Sequence, residues 1–135
     1  MSLCITIAAK VVMVPITAFS LSWVHSVEKI EWREDWVVTP AGLELKLARV
    51  KGSGAGMEPG EDAVFKDGWW QWSPTVPPLP SIRLAASGLT PSGWELCHAR
   101  GCMTLGATPG DESVISACEA PGERNRGGGE DTASP

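Results

Sequence analysis

The chain has few residues able to do chemistry. It has two histidines, His25 and His98, in 135 residues, so a multi-histidine metal centre is excluded. His25 shares the parity of Phe19, Leu21 and Trp23. Glu34 shares that of Ile30, Trp32 and Trp36. In an extended chain alternate side chains share a face. An imidazole and a carboxylate are therefore both drawn toward an apolar, tryptophan-rich face. A buried carboxylate must find donors or raise its pKa, and an imidazole is a suitable partner. The spacing predicts His25 and Glu34 side by side at the edge of that face. Such a pair is either a structural polar pin or a general base with its orienting carboxylate. Ser26 has the opposite parity, which disfavours a Ser-His-acid triad built from these neighbours. No Gly-x-Ser-x-Gly elbow and no His-Glu-x-x-His pattern occurs.

The run Gly52-Ser53-Gly54-Ala55-Gly56-Met57-Glu58-Pro59-Gly60 lacks the Gly-Lys-Ser/Thr ending of a P-loop. Glycines at alternate positions suit either a backbone nest for an anion or a long irregular turn needing positive φ. The candidate binding rim is thus His25, Ser26, Glu28 and Glu34 with Gly52, Gly54, Gly56, Met57 and Glu58. No catalytic residue, cofactor or metal site is assigned. Cys97 and Cys102 flank a short loop symmetrically, so in a hairpin they face each other at a separation compatible with a disulfide. Two packed thiols, a disulfide and a metal pair are the open readings. Cys4 and Cys118 have no evident partner, and Cys118 reads as a free, exposed thiol.

Period-two patterns position these residues. Leu3, Ile5 and Ile7 alternate with small or polar residues, as do Phe19, Leu21 and Trp23, then Ile30 to Val38, and Leu43, Leu45 and Leu47. Thr39 to Gly42 reads as a turn. Asp67-Gly68, between Ala63-Val64-Phe65 and Trp69-Trp70-Gln71-Trp72, reads as a tight hairpin. Ser73 to Pro80 holds four prolines and is excluded from a central strand. Ile82 to Ala86, Trp94 to Cys97 and Cys102 to Leu105 complete about nine short strands. The fold class is all-β, a small antiparallel sandwich or open barrel. Trp23, Trp32 and Trp36 are expected in the core. Trp69 must face away from Trp70 and Trp72 by parity.

The formal charge of −5, with no run of lysine or arginine, argues against a nucleic-acid binder held by phosphate contacts. Residues 106–135 carry six acids against two bases, with six glycines and three prolines. They read as a disordered acidic tail beyond a folded unit at 1–105. The apolar start is broken by Lys10 and Pro15, so it reads as strands and not as a transmembrane span or an export signal. That reading makes the cytoplasm the default location and the periplasm the alternative.

The segment His25-Ser26-Val27-Glu28-Lys29 with Glu34, then the 52–59 run, Gly68-Trp69-Trp70 and the stretch from Trp94 to Cys102, resembles the bacterial domain of unknown function 1850 family. The resemblance covers nearly all of residues 2–105. Members of that family are often encoded beside tripartite ATP-independent periplasmic (TRAP) transporters, especially those with a TAXI-type binding protein. The resemblance implies a small, non-enzymatic accessory protein, binding a transporter component or a small anionic ligand. A hydrolase or isomerase using His25 and Glu34 is the alternative.

Overall fold

The computed structural model describes residues 1–24, 30–51, 63–86, 93–107 and 109–119. Among them are eleven strands and no helix. They are β1 (Ser2–Ile7), β2 (Lys10–Val14), β3 (Ala18–Val24), β4 (Glu31–Thr39), β5 (Gly42–Lys51), β6 (Val64–Lys66), β7 (Trp69–Trp72), β8 (Ser81–Leu84), β9 (Trp94–His98), β10 (Gly101–Leu105) and β11 (Ser113–Cys118). A four-stranded sheet runs β2-β1-β11-β8, and a seven-stranded sheet runs β10-β9-β3-β4-β5-β7-β6. All pairings are antiparallel. The all-β, sandwich-like expectation holds.

Turn chemistry closes the hairpins. Asp67 and Gly68 both have positive φ, 53° and 87°, which matches the right-handed twist of the flanking strands. Between β4 and β5, the Ala41 amide donates to Thr39 Oγ1 at 3.1 Å, and Thr39 Oγ1 donates to Glu44 Oε2 at 2.8 Å. The Thr39 hydroxyl, helped by Lys46, holds the Glu44 carboxyl below its usual range. Gly42 follows with φ +131°, where an added Cβ would lie 2.5 Å from the Leu79 carbonyl oxygen. Leu43 and Leu79 exchange backbone hydrogen bonds of 2.8 and 2.9 Å at this point. Gly42→Val is expected to cost on the order of 2–3 kcal/mol, combining backbone strain with a steric clash. Gly68→Ala, where a Cβ meets nothing within 4 Å, retains only the backbone strain. Urea midpoints of the two variants check the difference.

The core lies between the sheets. Leu3, Leu43, Leu96 and Ile115 are fully buried, and Leu21, Phe19, Trp36, Val38, Leu84 and Leu105 nearly so. A bulge keeps β5 in phase with this core. Asp35 pairs with Leu47 but Trp36 pairs with Leu45, so Lys46 is the extra residue. Leu43 and Leu45 therefore point inward before it, and Ala48 and Val50 after it. The expected alternation through Leu47 fails at that residue for this reason.

Two strands go beyond the sequence expectation. β2 was hidden because Val11, Val12 and Met13 are exposed on both faces, so no alternation marks it. Its turn, Ala8-Ala9, contains no usual turn residue; Ala8 takes φ 56°. β11 corrects the reading of everything beyond 105 as a disordered tail. It lies between β1 and β8, pairing Leu3 with Ala117 and Ile5 with Ile115. Ser113 and Ile115 are 1% and 0% exposed. One isoleucine suffices because the opposite strands bring the bulk and two ladders satisfy the backbone. The cysteine reading is corrected with it: Cys4 and Cys118 form a disulfide across β1 and β11, with Cα atoms 5.9 Å apart. The strand reading of the amino terminus is met by β1 to β3. No helix among the described residues is long and apolar enough to cross a membrane, which says nothing of a β-barrel.

Candidate functional site

The inward face of the large sheet is organised in cross-strand rows. Trp23 pairs with Trp32, Trp32 with Val50, Val50 with Trp70, and Trp70 with Phe65. The Trp94 ring lies 5.0 Å from that of Trp23. Trp23 stacks on Trp32 at 6.1 Å, and Trp32 meets Trp72 edge-on at 6.5 Å. The next row runs Leu96, Leu21, Glu34, Ala48 and Trp72. Glu34 is thus the one carboxylate set into a sheet of indoles and aliphatic side chains. Phe19, Leu21, Trp36 and Val38 belong to the buried core, whereas Trp32, Trp70 and Trp72 lie outside that cluster and are half-buried.

Glu34 is half-buried, and loss of hydration raises its pKa above the usual value. The Trp36 indole Nε1–H donates to Glu34 Oε1 at 3.1 Å and opposes part of that rise. The sign of the pH effect follows. The folded state holds the proton to higher pH than the unfolded state, so Glu34 favours folding fully below its unfolded pKa, and this contribution is lost as pH rises through the folded pKa. Glu34→Gln keeps an acceptor for Trp36 and removes the buried charge. It is expected to be more stable than the parent at pH 7, with the gain vanishing near pH 4. Paired denaturation curves at the two pH values check this.

Two indole donors on this face lack partners among the described residues. Trp32 Nε1 and Trp70 Nε1 are closed to solvent and have no acceptor among the described residues. Each such orphaned donor costs about 1–3 kcal/mol until an acceptor reaches it. They lie in one row, two strands apart.

The strand ends show where the other expected site residues attach. β3 ends at Val24, opposite Glu31. β5 ends at Lys51, opposite Trp69, and β9 starts at Trp94, beside Trp23. The chain therefore leaves the indole end of the sheet into 25–29 and into 52–62. His25, Ser26, Glu28, Gly52, Gly54, Gly56, Met57 and Glu58 lie outside the described residues, and so does the expected His25–Glu34 contact. Glu34 pairs with Leu21, three residues below the Val24–Glu31 pair, or about 10 Å at the usual strand rise. Its partner among the described residues is Trp36, on the same face two positions on. That signal was available in the parity pattern.

Cys97 and Cys102 are directly paired and form a disulfide. Glu95 lies close to both sulfurs, but sulfurs joined to each other are not a thiolate ligand set. Two hollows open on the outward face of the large sheet. The larger, about 450 Å³, lies beside Ser20, Asp35, Lys46 and His98, and the smaller, about 280 Å³, beside Trp69. Glu34 lines neither.

No curated protein and no solved structure matches the chain. A family match covers residues 19–105. That span holds nearly all of the seven-stranded sheet and β8, while β1, β2 and β11 fall outside it. With well over half its length matched, the chain belongs to the family described as Domain of unknown function (DUF1850).

Proposed function

We propose that this protein is a non-enzymatic binding component of a TRAP-type solute transport system, engaging a transporter component through the indole end of its large sheet. The observation that carries the reading is the half-buried band of Trp32, Trp70 and Trp72 on the face that holds Glu34, with two buried indole N–H groups that have no acceptor among the described residues. Large aromatic side chains at the margin of a core supply much of the affinity in protein interfaces. The transport context is what the family resemblance implies. Two disulfides fit an oxidising compartment, where the solute-binding proteins of such transporters act. The alternative, a hydrolase or isomerase using His25 and Glu34, rests on a histidine that lies outside the described residues.

The test is calorimetric titration of the chain with the purified TAXI-type binding protein, with and without solute. Binding is expected, weakened at least tenfold by Trp32→Ala, the loss typical of an aromatic anchor. Trp32→Phe retains part of the affinity and controls for folding. Absence of binding in both solute states, or binding indifferent to Trp32, contradicts the proposal.

A further inference from the structure

We infer that the outward face of the large sheet carries a separate site for a small oxyanion, a carboxylate or phosphate group held by Arg49, Lys66 and Gln71 against Trp69. The register builds it. Arg49 pairs with Gln71 and Gln71 with Val64; Lys51 pairs with Trp69 and Trp69 with Lys66. These residues alternate with the inward-facing Val50, Trp70 and Phe65, so they share the opposite face. Over these pairs the three strands place no acid on that face. The hollow of about 280 Å³ is lined by Arg49, Lys66, Asp67, Trp69 and Gln71.

The charge around the hollow favours an anion. The Arg33 guanidinium lies 5.5 Å and Lys51 Nζ 4.8 Å from the Trp69 ring centre. Arg49 and Lys66 line the hollow, and Arg33 and Lys51 flank its Trp69, in a chain whose formal charge is −5. The opposing carboxylates are Glu31, 3.5 Å from Arg33; Asp35, 2.9 Å from Arg49; and Asp67 at the rim. Asp35 takes one nitrogen of the Arg49 fork, leaving further donors of a group that presents five N–H bonds. Arg33 Nε is buried without an acceptor among the described residues. Lys66 is exposed, and among the described residues its ammonium has no partner. A carboxylate or phosphate in the hollow supplies acceptors to Arg49 and Lys66, which line it. The indole band on the other face cannot serve this ligand, because Glu34 would repel it. The two sites therefore stand or fall separately.

The full chain is to be followed by thermal denaturation in phosphate, in succinate and in chloride at matched ionic strength, which separates a bound ion from screening. Phosphate or succinate is expected to raise Tm above chloride. Lys66→Glu, at an exposed position, should weaken that effect about tenfold or more, and Arg49→Gln should weaken it as well. Co-sedimentation with phosphatidylglycerol vesicles, against phosphatidylcholine, identifies the source. Binding that needs Lys66 and anionic lipid assigns a headgroup, and a response to the free ions alone assigns a soluble solute. No stabilisation over chloride together with no vesicle binding, or an undiminished effect in Lys66→Glu, overturns the inference.

Discussion

A chain ended after Glu112 is expected to show no cooperative unfolding transition. The cut removes β11, the strand between β1 and β8. Ile115 is then lost from the core, worth about 2–5 kcal/mol by the cost of deleting a buried aliphatic side chain. The inner edges of β1 and β8 lose their ladders, and Cys4 loses its partner. Leu3, Ile5 and Leu84, now 2% exposed or less, would face water. Together these losses are comparable to the entire stability of an ordinary domain, about 5–15 kcal/mol. Urea denaturation followed by tryptophan emission reads the result, with a chain ended after Glu119 as the matched control. A sharp transition near the control midpoint would contradict the placement of β11.

Breaking only the Cys4–Cys118 bridge is expected to lower stability by roughly 4–5 kcal/mol. The two cysteines are 114 residues apart. Closing so long a loop removes that much chain entropy from the unfolded state in the loop-closure account. The bridge Cys97–Cys102 spans five positions and is worth only about 2 kcal/mol on the same account. Replacing Cys4 and Cys118 together by serine should therefore shift the denaturation midpoint about twice as far as replacing Cys97 and Cys102. Equal shifts, or none from the first pair, would show that the long bridge does not restrain the unfolded chain.

Most of the large sheet was legible in the sequence because its strands have one wet face and one buried face. Phe19, Leu21 and Trp23 alternate without interruption, Trp32, Trp36 and Val38 are broken only at Glu34, and Asp67-Gly68 marks its own hairpin. The opposite parity of Trp69 was readable for the same reason. The small sheet was harder to read. β2 is an edge strand wet on both faces, so it carries no period. β11 buries one large side chain and relies on its neighbours for bulk. The Cys4–Cys118 pairing follows from the register of β1 against β11 and from nothing in the spacing. Glu34 was singled out correctly as a carboxylate on an apolar face. Its Trp36 donor shares its parity and was readable in the same way, whereas the expected imidazole, His25, lies outside the described residues. The cationic ring around Trp69 is invisible in one dimension, since Arg33, Arg49, Lys51 and Lys66 come from three different strands.

Docking of a transport partner on the indole band, as proposed above, has a direct spectroscopic readout. The most direct measurement is the set of tryptophan side-chain N–H signals in a nitrogen-15-labelled chain, titrated with the purified solute-binding protein. The signals of Trp32 and Trp70 are expected to move as the partner covers the band, while that of Trp69 on the opposite face stays fixed. A complex that forms with Trp32 and Trp70 unmoved, or with Trp69 alone responding, would contradict the proposed docking.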